Sequence, residues 1–145
     1  MTFNLKCNII KTVKEKQTKS YGKEDATVEG GYRKFDVILV DFGDDVLAGE
    51  QGGIRPAVIV QNNLGNLHSP TTLVFPFTTQ KRSLTQSTHS FFRANEKYGL
   101  TKDSYLLGEA IKQISELRIL KKLGRIVDKT GQDEIQRVFF ANWGL

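Results

Sequence analysis

Apolar residues crowd into short blocks from Tyr32 onward, and turn-forming residues separate the blocks. Phe35–Phe42 (FDVILVDF), Pro56–Gln61 (PAVIVQ), Thr71–Thr79 (TTLVFPFTT) and Thr88–Arg93 (THSFFR) are rich in β-branched and aromatic residues, and Ser104–Ile111 (SYLLGEAI) is a fifth block. Such compositions favour strands. Gly43-Asp44-Asp45, Asn62-Asn63-Leu64-Gly65-Asn66 and Tyr98-Gly99 read as the turns between them. Several short strands joined by polar turns predict a mainly β fold, a small barrel. Pro76 has no N–H to give to a ladder, so it predicts a bulge or an edge in the third strand.

The period changes near the C-terminus. Ile135, Val138 and Phe139 recur at helical spacing and share one face, which must be buried against the barrel or a partner subunit. Thr130 is the expected N-cap, followed by Asp133 and Glu134 at the positive end of the helix. Gly131 in the first turn counts against this helix, and Gly144 closes it. Trp143 is expected as the last core residue of the helix.

Residues 1–30 differ from the rest. They are rich in lysine, and residues 20–31 end in polar and glycine positions that read as a linker. Phe3, Leu5, Ile9, Ile10 and Val13 are scattered through residues 1–19, which predicts either a mobile tail or a short amphipathic helix. The folded domain is expected over residues 31–145.

Composition narrows the functional classes. A chain of 145 residues suits one domain, and 39% apolar with 26% charged residues is ordinary for a globular protein. No run approaches the roughly 20 apolar residues of a membrane span. Nothing between Lys6 and Lys11 reads as a signal peptide, so the expected location is cytoplasmic. The single cysteine, Cys7, and the isolated His68 and His89 do not make a zinc pattern, and neither a metal nor another cofactor is expected. A net charge of +5 favours a polyanionic partner, though weakly.

The most informative stretch is Glu50 to Asn62, EQGGIRPAVIVQN. Glycines hinge a loop that feeds directly into an apolar strand. Pro56 forces Arg55 into extended backbone, which stands its guanidinium at the rim of that strand. A planar fork of donors suits a phosphate, although a structural salt bridge at a loop end has the same appearance.

This run, followed by Gly65-Asn66 and Ser69-Pro70-Thr71, resembles the signature of MazF/PemK-type toxins. The matching pieces are a strand from Asp36 to Asp41, a loop, Glu50 to Pro56, an apolar strand ending in Gln61-Asn62, and a strand ending in Thr78. The resemblance covers roughly residues 32–145. It implies an SH3-like β-barrel of the MazF/CcdB type with a C-terminal helix and short connecting helices, paired as a homodimer. It also implies a toxin that cleaves single-stranded mRNA at short sequences without a metal. The RNA 2′-hydroxyl would attack the adjacent phosphorus and leave a 2′,3′-cyclic phosphate.

By motif position the resemblance makes Arg55 and Thr78 the catalytic pair. A one-residue slip would put Thr79 in place of Thr78. Glu50 and His89 are candidates for proton transfer, although a histidine in a strand such as that of His89 is more often a satisfied or surface residue than a catalyst. Gln51, Gly53, Thr79, Gln80, Lys81, Arg82 and Lys112 are candidate RNA contacts. The stretch Leu107 to Ser115 departs from the family pattern, with Ala110 for a glutamine and Lys112 for an arginine, so the family's RNA preference does not carry over there. Arg118, Lys121, Lys122 and Arg125 read as an exposed basic turn. The implied partners are RNA and a cognate antitoxin with an acidic, disordered segment, and the residues 42–50 loop is the expected gate. The alternative class is a non-enzymatic gyrase poison of the CcdB type, acting through Trp143-Gly144.

Overall fold

The computed structural model describes residues 31–145. The expectations for residues 1–19 and for all but the last position of the linker therefore lie outside the described residues, as does Cys7. Seven antiparallel strands, two α-helices and two 310 turns follow in order among those described. The strands are β1 (Asp36–Asp41), β2 (Ile54–Ile59), β3 (Thr71–Thr78), β4 (His89–Phe92), β5 (Ser104–Leu107), β6 (Lys112–Ser115) and β7 (Ile119–Arg125). Helix α1 (Asn63–His68) connects β2 to β3, and α2 (Lys129–Trp143) ends the chain. The 310 turns are Gly108–Ala110 and Glu116–Arg118.

The sheet runs β4-β5-β3-β2-β1-β7, with β6 also pairing to β3. Both faces of the central strands are covered. Val37, Val58, Phe75 and Phe77 join one cluster, into which α2 inserts Ile135 and Val138. Ile38, Val40, Ala57, Ile59 and Val74 join a second, with Ile114 and Ile119. Burial on both faces is why these strands read as continuous apolar runs and not as alternation. Each fully buried side chain of this kind contributes about 1.5–3 kcal/mol.

The sheet is barrel-like, but its ladder does not close. The nearest approach joins the segment after β4 to β7, where Arg125 N donates to Lys97 O at 3.0 Å. Glycine is required on both sides of this contact. A Cβ on Gly124 would lie 2.4 Å from the Tyr98 backbone, and one on Gly99 would lie 2.3 Å from Leu123 O.

Pro76 is neither at an edge nor in a bulge. On one side β3 pairs with β6 as far as Val74 and with β5 from Phe77 onward. Pro76 falls in the break between these two partners, where a missing donor is tolerated.

The basic cluster also differs from expectation. Lys121, Lys122 and Arg125 belong to β7, and Arg118 to the 310 turn before it. Asp36 is 1% exposed, and its Oδ1 lies 3.2 Å from Lys122 Nζ and 3.0 Å from Arg125 Nη1. Two of the four cations thus neutralise a buried carboxylate, which would otherwise be costly to hold away from water.

The cap of α2 is Asp128, not Thr130. Its Oδ2 accepts from Gly131 N at 2.9 Å. Gly131 is there because a Cβ would meet Ile126 Cγ2 at 2.6 Å, a packing reason that overrides its poor helix propensity. Gly144, at φ 82°, ends the helix as expected. Ile135 and Val138 are buried, but Phe139 is 39% exposed and Trp143 81% exposed, so Trp143 is no core residue.

Candidate functional site

The loop between β1 and β2 is tied at its base. Phe42 N donates to Gly53 O at 2.9 Å, and Gly53 N to Gly43 O at 2.8 Å. Gly43 and Gly53 both have positive φ, 80° and 73°, which glycine adopts without strain. Val46 folds back so closely on Gly52 that a Cβ there would lie 2.8 Å from Val46 Cγ2. This folded loop holds the guanidinium that follows it. Arg55 Nε donates to Gly52 O at 3.0 Å, and Nη1 donates to the side-chain carbonyl of Gln51. Among the described residues these bonds use two of the five N–H donors of the arginine and leave three, two of them on Nη2.

Strand pairing brings the second residue to it. Ala57 of β2 lies opposite Pro76 of β3. Two residues along each strand from that pair, on the same face by the period of two, stand Arg55 and Thr78. Beyond Pro76 the strands part, and Thr78 instead pairs with Tyr105 of β5. The space that opens is a groove of ≈ 410 Å³, lined by Gln51, Ile54, Arg55, Pro56, Phe77, Thr78, Thr79, Gln80, Arg82 and Ser104. Its two ionisable lining residues are both arginines, so the groove suits an anion. Thr78 is buried, and its Oγ1 accepts from Gln80 N at 3.2 Å, which leaves the hydroxyl proton to donate.

The groove therefore gathers Arg55, Thr78, Gln51, Thr79, Gln80 and Arg82 from the expected set. Thr79 does not compete with Thr78 by alternation, because β3 ends at Thr78. Gly53 closes the loop through its backbone. Lys81 is exposed and is not among the lining residues. Glu50 lies on the loop, where its carboxylate accepts from Leu47 N at 2.8 Å. Lys112 lies on β6 with its ammonium 5.9 Å from the Phe42 ring centroid, outside the groove. His89 is buried, with Nδ1 2.7 Å from Ser83 O and Nε2 2.7 Å from Glu109 Oε1. Ser104 and Phe77 line the groove without any local signal in the sequence; the β3–β5 pairing brings them there.

A larger hollow of ≈ 510 Å³ lies between the segment before β1, the connection from β2 to α1, β3 and α2, lined by Phe35, Val60, Leu73, Phe139 and Phe140 among others. It is mostly apolar and lacks the opposed donors of the Arg55 groove. Among the described residues no cluster of three or more His, Cys, Asp or Glu is placed to hold a metal. Among them, too, no helix is long and apolar enough to cross a membrane.

Residues 33–139 match the model of the PemK-like, MazF-like toxin of type II toxin–antitoxin systems. An endoribonuclease MazF of Staphylococcus saprophyticus is 41% identical over 113 residues, which span 78% of this chain and 92% of that protein. The fold is similar to that of MazF from Deinococcus radiodurans, with a TM-score of 0.65 at 15% identity over 79% of this chain and 97% of that one. It is likewise similar to a mycobacterial endoribonuclease solved with its cognate antitoxin, with a TM-score of 0.63 at 20% identity over 79% and 96% of the two chains.

Proposed function

From the premise that this chain belongs to the family of PemK-like, MazF-like toxins of type II toxin–antitoxin systems, we propose that it is an endoribonuclease whose reacting phosphate lies between Arg55 and Thr78. The observation that carries this reading is the opposition of those two side chains in a groove lined by two arginines and no carboxylate.

In the proposed reaction the 2′-oxygen bonds to phosphorus as the bond to the 5′-oxygen breaks, and the departing 5′-oxygen takes a proton from solvent water to leave as a hydroxyl. Negative charge builds on the non-bridging oxygens, where the free N–H groups of Arg55 and the Thr78 hydroxyl stand ready. Donors aimed at developing charge stabilise the transition state more than the ground state. Because Gln51 and Gly52 already hold the guanidinium, little ordering is left for the moment of reaction. Glu50, next to Gln51, is the candidate base for the 2′-proton in this reading; its carboxylate here accepts from Leu47 N and does not line the groove. No metal enters these steps. Arg82, Gln80 and Thr79 contact neighbouring phosphates, with Lys81 beside them.

The mycobacterial neighbour was solved with its cognate antitoxin. By analogy, an acidic, disordered antitoxin segment occupies the Arg55 groove of this chain and excludes RNA, in a cytoplasmic homodimer. The endoribonuclease name of the 41% identical relative weighs against the gyrase-poison alternative.

The test is cleavage of a single-stranded RNA in EDTA, followed by identification of the ends. Cyclic phosphate ends, and a loss of at least about a hundredfold in Arg55→Ala, are expected. Unchanged cleavage by that variant would eliminate the proposed centre.

A further inference from the structure

The β3–β4 loop, residues 79–88, carries Thr79, Gln80 and Arg82 into the groove. It has no regular structure of its own, so something must hold it. Ser83, next to Arg82, is bonded through its carbonyl to His89 Nδ1 at 2.7 Å. A carbonyl only accepts, so Nδ1 donates. On the other side of the ring Nε2 lies 2.7 Å from Glu109 Oε1. With Nδ1 already a donor, His89 and Glu109 need one shared proton between them, as imidazolium with carboxylate or as imidazole with carboxylic acid. The other carboxylate oxygen of Glu109 accepts from Thr88 Oγ1 at 3.0 Å, at the far end of the same loop. The ring is 6% exposed and the Glu109 side chain 42%, so Glu109 is the more solvent-facing member of the pair.

Helix α2 contributes the other charges nearby. Arg137 Nη2 donates to His89 O at 3.2 Å, and Nη1 to Ser87 O at 2.8 Å. Glu134 is committed to Arg137 Nη2 at 2.6 Å and to Ser90 Oγ at 2.7 Å. Glu109 is thus the acid that meets the imidazole.

We propose that His89 is a positioning residue: with Glu109 it clamps the β3–β4 loop through Ser83, and so sets where Gln80 and Arg82 meet the RNA backbone. This rests on the ribonuclease reading above, and it gives His89 a role other than proton carrier.

Three variants separate the contacts. His89→Asn keeps an N–H toward Ser83 O and gives up Glu109; His89→Leu gives up both; Glu109→Gln removes the charge but keeps an acceptor. Two readouts are taken: amide hydrogen exchange over residues 79–88, and KM and kcat on a single-stranded RNA oligonucleotide. Loop exchange and KM are expected to move together. In His89→Leu both are raised about three- to tenfold, the worth of one hydrogen bond, while kcat moves less. His89→Asn restores much of the binding. Loop exchange identical in the wild type and all three variants would overturn the proposal, as would a KM that stays flat while exchange changes. Should His89→Leu not fold, the other two variants carry the same comparison. RNA left uncut by the wild type would sink the ribonuclease reading, whereas exchange alone still decides whether the clamp exists.

Discussion

Gln51 holds Arg55: the side-chain carbonyl of one accepts from Nη1 of the other, across four residues of a glycine-hinged turn. The guanidinium is thus oriented by its own loop and not by a distant ion pair. Gln51→Ala should lower kcat about tenfold, because a single hydrogen bond to a charged group is lost and the fork gains freedom. Gln51→Glu holds the arginine more firmly but adds a negative charge to the groove, so KM should rise instead. Single-turnover and steady-state cleavage would tell these apart; equal kcat for all three proteins would remove the orienting role.

Thr78 offers a cleaner probe of the opposed hydroxyl. Thr78→Val preserves shape and burial while deleting the donor, and should cost about 10² in kcat if that oxygen grips the reacting phosphate. Thr78→Ser should recover most of the loss. Arg55→Lys keeps the charge but not the fork, and should fall close to Arg55→Ala. A valine variant as active as the wild type would reassign Thr78 to structure.

Asp128 and Tyr98 predict a stability profile with two shoulders. The hydrogen bond from Tyr98, then that from Gly131, hold the Asp128 carboxyl below its ordinary range. Burial, then the bond to Asp128, push the Tyr98 phenol up to about 12. A depressed acid stabilises the fold above its unfolded titration and loses that contribution as pH falls through the folded one. A raised phenol stabilises below its ordinary 10.0 and loses the contribution as pH climbs toward about 12. Asp128→Ala should cost about 0.5–2 kcal/mol near neutrality as a lost helix cap, and should flatten the acid shoulder. Tyr98→Phe should flatten the alkaline one. Urea melts across pH provide the check, and parallel profiles for variants and wild type would refute the assignment.

Two glycines predict unequal sensitivities. Gly124→Ala drives a methyl against the Tyr98 backbone at 2.4 Å, where nothing flexible can yield, and should destabilise by about 3 kcal/mol or more. Gly53→Ala meets open space and bears only the cost of its positive φ, roughly 1–2 kcal/mol. Thermal denaturation of the pair tests whether β7 is held by that contact; a Gly124 variant no weaker than the Gly53 one would argue that it is not.

Much of this fold was legible locally. β1, β2 and β3 stand out because residues buried on both faces leave an unbroken apolar signal that no loop imitates. Helix α2 shows its buried stripe at Ile135 and Val138, and Arg55 is marked by the glycines before it and the proline after it. β6 and β7 left no such mark. KQIS and ILKKLGR are polar segments made into strands by the neighbours they pair with, and Lys122 and Arg125 are there for Asp36, a residue 89 positions from Arg125. The cap was misplaced for a similar reason, since Gly131 is dictated by Ile126 and Tyr98 and not by helix propensity.

Chain chemistry alone, then, specified which segments must hide from water, where the backbone must turn, and which side chain can fork around a phosphate, because each of these depends on a few consecutive residues. It did not specify who faces whom. That Thr78 stands across from Arg55, that Glu109 meets His89, and that Trp143 is left in solvent are consequences of long-range strand register and packing. Such contacts join positions far apart along the chain, and no short run of residues encodes them.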